Sequence, residues 1–216
     1  MDIAQEKLEE FAAGARRMAR YGLMRCSSGN LSCRLDEQHM LVKASRSWMA
    51  DLTAADVAVC RIADEVSLDG KSPSVEIGFH AGVLRTRADV NVVLHFQTTA
   101  ATALACSRRL NEIDFAVIPE IAYYIGPIGV VPYNLPGSRG LAEAVVSAMK
   151  DHDLAMMANH GQIVVGKSFD DVIQKAVFFE LACEIILRGG DDIRPLAPQA
   201  IAQLRPQAAP RRVRGV

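Results

Sequence analysis

Long apolar runs are missing from this chain. No window approaches the roughly 18 uninterrupted apolar residues that a membrane-spanning helix needs, so no span is expected. Net charge is nearly missing too. The 24 Lys and Arg residues set against 25 Asp and Glu leave −1, a balance that gives no global field to draw in nucleic acid or an anionic membrane. Paired cysteines are lacking. Cys26, Cys33, Cys60, Cys106 and Cys183 are odd in number and form no CxxC. They read as reduced, small core residues of a cytoplasmic protein and exclude a disulfide framework. An export signal is not expected either, because Glu6, Glu9 and Glu10 stand where its apolar run would be. Internal repeats are absent.

What is present suits one globular domain. The 216 residues are 50% hydrophobic and 23% charged, enough to bury a full core. Leu8, Phe11, Ala12, Ala15, Met18 and Ala19 recur at helical spacing over 3–21, with Gly22 at the end. Short strands are expected at 41–43, 57–62, 92–97, 128–133, 154–157 and 163–165. Helices are expected at 76–87, with Ser74 as its cap, at 100–106, from Ser138 to about 150, and from Ser168 to about 188. Residues 111–125 read as irregular. The last two strands are too close for a parallel crossover. The fold class is therefore α/β, a largely antiparallel sheet covered by helices, over residues 1–192. The Pro- and Arg-rich remainder, 193–216, reads as a disordered basic tail.

The densest chemistry lies in PSVEIGFHAGVLRTRADVNVVLHFQ, residues 73–97. Glu76 opens an apolar helix, and on the strand that follows Val93, His95 and Gln97 share one face. His160 follows in ANHG. An acid and nitrogen donors on separate elements are the usual make-up of a divalent metal site. Spacing alone equally admits a hydrogen-bonded core histidine at 95 and a polar turn at 159–161.

The order of motifs is more specific. A GN-x-S loop near residue 30, a small-residue loop near 45, PS-x-E at 73–76, H-x-polar at 95–97 and NHG at 159–161 follow one another. In that order the chain, from Ile3 to about Arg188, resembles the class II aldolase/adducin family, which includes L-fuculose-phosphate aldolase and L-ribulose-5-phosphate 4-epimerase. The resemblance implies a three-layer α/β/α domain and a C4 homotetramer with active sites between subunits. It also implies one divalent metal ion per chain, usually zinc, with manganese, cobalt or iron as alternatives. Glu76 matches the family's acid, His95 its first histidine ligand and His160 its third. Ser27, Gly29, Asn30, Ser45 and Ser74 match the loops that hold a substrate phosphate through backbone N–H groups and hydroxyls. Tyr123 matches a tyrosine lent across the subunit interface as proton donor.

The departures matter as much. Gln97 occupies the second histidine position and would offer a carbonyl oxygen, which suits harder ions, unless the metal has been lost. Lys43 and Arg46 stand where the family has Thr and Gly, and Val75 replaces a small hydroxyl residue. Charged donors there would still select an anion, or simply be solvated. No tyrosine follows Tyr133, so a tail-assisted step is not expected. His80 matches a family position and reads as structural. The resulting expectation is a cytoplasmic, metal-dependent lyase cleaving a small anionic hydroxy-carbonyl compound, a sugar phosphate, through a metal-stabilised enediolate. Epimerisation, dehydration and decarboxylation are alternatives. A non-catalytic binding or assembly module like the adducin head is the alternative of another class.

Overall fold

The computed structural model describes residues 3–204. Seven strands form one sheet: β1 (Asn30–Arg34), β2 (His39–Lys43), β3 (Val57–Arg61), β4 (Val92–Phe96), β5 (Ile128–Val131), β6 (Leu154–Met157) and β7 (Gly161–Gly166). Their spatial order is β3-β2-β1-β4-β7-β6-β5. Every pairing is antiparallel except β5 with β6. That one parallel pair is joined by the crossover helix α4 (Arg139–Met149), which a parallel connection requires.

Alternation along β4 divides the core in two. Val92, Leu94 and Phe96 join a cluster with Phe11, Met18, Leu104, Val172 and Phe179, beneath α1 (Gln5–Arg20), α3 (Thr99–Ala105) and α5 (Phe169–Gly189). Val93 joins the opposite cluster with Phe79, Val83, Leu141 and Val145, beneath α2 (Ile77–Thr86) and α4. Period-two burial on a strand and period-3.6 burial on the helices thus produce three layers. At one edge Arg87 and Lys175, from opposite helical layers, both pair with Asp153, at 2.9 and 3.4 Å.

Ser138 and Ser168 cap their helices, accepting from Leu141 N at 3.1 Å and Asp171 N at 3.2 Å. The expected cap at Ser74 takes another form. α2 begins at Ile77 with no side-chain cap, and the Ser74 hydroxyl accepts from Glu76 N at 3.4 Å. The Glu76 carboxylate is thereby left to leave its own helix. Within 111–125 the chain makes a single π-helical turn, Ile121–Ile125, that periodicity did not reveal. Pro198–Leu204 forms a sixth helix, α6, where no structure was expected. Arg211, Arg212 and Arg214 lie outside the described residues. Cys60 and Cys183 are buried, whereas Cys26 and Cys106 are exposed, contrary to their reading as core residues. Among the described residues no helix is long and apolar enough to cross a membrane.

Candidate active site

Glu76, His95 and His160 come from three different elements, and each offers a ligand atom within 4.8 Å of the other two. β4 and β7 pair with His95 opposite Ile163, which brings the 159–161 turn alongside the end of β4. Gly161 permits that approach. A Cβ there would lie 2.8 Å from Phe96 O, 2.8 Å from Gln97 Cγ and 3.0 Å from His95 Cε1, so any side chain would displace the imidazole. Gly29 does the same on the other side. Its φ is +72°, and a Cβ would stand 2.7 Å from the His95 carbonyl oxygen.

The His95 imidazole is oriented by its far nitrogen. His95 Nδ1 lies 2.9 Å from the Gln162 carbonyl. A carbonyl only accepts, so Nδ1 carries the proton and the Nε2 lone pair faces the site. His95 Nε2 lies 3.6 Å from Glu76 Oε2, and His160 Nε2 lies 3.4 Å from Glu76 Oε1. Burial first, then repulsion from His95, holds the His160 pKa below its ordinary value against the opposing pull of Glu76. Glu76 Oε1 and His160 Nδ1 are buried and find no hydrogen-bond partner among the described residues. Two imidazole nitrogens and a carboxylate oxygen left without a donor fit a divalent cation, because a buried anionic oxygen needs a positive partner.

Gln97 lies beside the group. Its Nε2 donates to the His160 carbonyl at 3.1 Å, so its amide nitrogen steadies the turn that carries His160. The residues expected to meet an anion divide. Ser45 N donates to Ser72 O and Ser74 N donates to Lys43 O, at 2.9 and 3.1 Å, and these bonds bind the 43–47 loop to the segment leading into Glu76. Arg46 is exposed at the tip of that loop with φ +65°. Lys43 does not display its charge. Its Nζ donates to the carbonyls of Ser47 at 2.7 Å and Ala44 at 3.5 Å, and burial lowers its pKa. Lys43 therefore holds the loop's carbonyls inward instead of facing an anion. Ser27 is exposed on the turn before β1. The Asn30 side chain, assigned from sequence to the anion, is engaged at both ends: Nδ2 donates to Glu76 Oε2 at 2.8 Å and Oδ1 lies 2.5 Å from His80 Nε2. His80 is the residue whose link to the site sequence reasoning missed. The signal was there in N-x-S on a strand and E-x-x-x-H on a helix. Tyr123 is exposed on the π-turn and packs edge-on against Tyr124.

The family model for the class II aldolase and adducin N-terminal domain matches residues 9–187. The chain belongs to that family. It is 29% identical over 206 residues to the 3-oxo-tetronate 4-phosphate decarboxylase of Escherichia coli O6:H1, an alignment covering 94% of this chain and 97% of that protein. It is 26% identical to the 5-deoxy-D-ribulose 1-phosphate aldolase of Bacillus thuringiensis serovar kurstaki over 85% of each. The crystal structure of YgbL from Escherichia coli superposes with a TM-score of 0.85 at 28% identity, covering 93% of this chain and 98% of that one.

Proposed function

We propose that this protein is a divalent-metal-dependent carbon–carbon lyase that decarboxylates a small phosphorylated 3-oxo acid. The observation that carries the reading is the buried convergence of Glu76, His95 and His160, with Oε1 of Glu76 free of any donor among the described residues. The near full-length similarity to a 3-oxo-tetronate 4-phosphate decarboxylase supplies the reaction type. It favours decarboxylation over the aldol cleavage that the motifs alone suggested.

His95 and His160 would hold the ion through Nε2, with Glu76 Oε1 beside them before substrate binds. The Gln97 side-chain oxygen would be a further donor, its amide nitrogen being engaged with His160 O. When bound, a divalent ion supplies a Lewis acid for the substrate ketone. The bond between the carboxylate carbon and the α-carbon breaks, its electron pair runs toward the ketone, and a proton is returned to the α-carbon. Glu76 Oε1 takes up and returns the proton of the adjacent substrate hydroxyl. Tyr123, reaching in from a neighbouring copy of a cytoplasmic homotetramer, delivers the proton to carbon. Ser27, the backbone of Gly29 and Asn30, Ser45, Arg46 and Ser74 receive the phosphate.

A second reading, retro-aldol cleavage of a ketose 1-phosphate, is favoured by the similarity to a 5-deoxy-D-ribulose 1-phosphate aldolase. The two separate by product. The protein loaded with zinc, manganese or cobalt is given 3-oxo-tetronate 4-phosphate or 5-deoxy-D-ribulose 1-phosphate, and carbon dioxide and aldehyde are measured. Carbon dioxide release that falls about 10²–10⁴-fold in Glu76→Gln supports the proposal. Aldehyde release without carbon dioxide moves the reaction to the aldol type. No turnover of either substrate leaves the non-catalytic, adducin-like module.

A further inference from the structure

Glu76 and His80 stand one helical turn apart at the start of α2, while Asn30 and Ser32 stand two residues apart on β1. Spacing of four on a helix and two on a strand puts each pair on one face, and the two faces meet. A hydrogen-bond ladder joins all four residues. Ser32 Oγ lies 2.8 Å from His80 Nδ1, His80 Nε2 lies 2.5 Å from Asn30 Oδ1, and Asn30 Nδ2 lies 2.8 Å from Glu76 Oε2. His80 is fully buried and Asn30 nearly so.

Every bond in this ladder runs the same way. An amide oxygen only accepts, so the proton between His80 and Asn30 sits on Nε2. In the neutral ring, Nδ1 then accepts from the Ser32 hydroxyl. The Asn30 NH₂ is left to face Glu76 and donates to Oε2. With the amide turned over, N–H would meet N–H at His80 and oxygen would meet carboxylate at Glu76. The Glu76 carboxylate, which only accepts, thus decides which way the amide faces, and the His80 proton holds the amide oxygen in that orientation. The amide in turn distinguishes the two oxygens of Glu76.

We propose that His80 is a positioning residue for Glu76: acting through Asn30, it anchors Oε2 and leaves Oε1, the oxygen facing His160, as the working oxygen. The inference rests on the cation-site reading above but not on which reaction the site performs.

The test uses the full chain with cobalt(II) as probe and the variants His80→Leu and His80→Gln. Leucine removes the donor, whereas glutamine restores an N–H toward Asn30. His80→Leu should bind cobalt about 10–100-fold more weakly, the usual effect of losing a partner behind a ligand, with a changed visible spectrum. His80→Gln should recover most of both. In the metal-free protein, ¹H–¹⁵N spectra should show the two Asn30 amide protons widely separated and slow to exchange in wild type and His80→Gln, and closer together and faster to exchange with water in His80→Leu. Where leucine prevents folding, judged by circular dichroism, His80→Asn takes its place, because its shorter donor falls short of Asn30. Cobalt affinity unchanged in a folded donor-less variant overturns the inference. So does a glutamine variant no better than the leucine one, or an Asn30 signal indifferent to position 80. A wild type that takes up no cobalt sinks the metal reading instead, and the metal-free spectra then decide the ladder alone.

Discussion

Gly29 and Gly22 form a matched pair that separates backbone strain from close approach. Their φ values are +72° and +73°, but an added Cβ at Gly22 meets nothing within 4 Å, whereas one at Gly29 lies 2.7 Å from His95 O and 3.1 Å from Met24 Cγ. Alanine at either position adopts a left-handed conformation at about 1–2 kcal/mol. Gly29→Ala must also push against a carbonyl of the central strand β4, which cannot swing away as a side-chain tip could. That overlap adds about 1–3 kcal/mol. The effect of alanine on the unfolded chain is common to both variants and cancels in the comparison. Gly29→Ala should therefore be less stable than Gly22→Ala by about 1–3 kcal/mol, a large share of a total of about 5–15 kcal/mol. In urea unfolding, at about 2 kcal/mol per molar, the midpoints should differ by about 0.5–1.5 M with equal slopes. Two variants within about 0.5 kcal/mol of each other would refute the claim that Gly29 is required by the approach of the loop to His95.

Gln97→His should raise zinc affinity in a chelator competition, because imidazole is the better zinc donor; no change would mean that position 97 does not face the ion. Arg46→Gly should relieve the left-handed arginine at φ +65° and stabilise the fold by up to about 1 kcal/mol, while weakening inorganic phosphate binding measured by calorimetry by about 1.5–3 kcal/mol. An Arg46→Gly variant that binds phosphate like wild type removes the side chain from the anion site. His80 gives a pH signature: burial, with repulsion from His95 second, pushes its pKa down to about 3 from 6.5. The unfolded chain binds a proton at position 80 below about pH 6.5 that the folded chain refuses, so this stability is fully present above that pH and is lost as pH falls toward 3. The acid limb of a stability–pH profile should lose a slope of about 1.4 kcal/mol per pH unit in His80→Gln, and an unchanged limb would contradict the assignment.

Much of the fold was legible in the chain itself. Alternation over 92–97 and the 3.6-residue period of the N-terminal helix are local consequences of which side chains must leave water, and they fixed the layers. Ser138 and Ser168 announced their helices because a hydroxyl one position before a helix has few better partners than its free N–H groups. Glu76, His95 and His160 were legible as residue types in an order of motifs, and the structure brings all three together. Other features depended on contacts between segments far apart in sequence. Lys43 and Asn30 looked like anion donors until tertiary packing turned the ammonium toward its own loop and set the amide between His80 and Glu76. The π-turn under Tyr123 and the helix Pro198–Leu204 carry no strong period of their own and take their shape from what they rest on. Which oxygen of Glu76 is tied and which is free is the finest such detail. A carboxylate's two oxygens are identical in sequence, and only a neighbour placed by the fold can tell them apart.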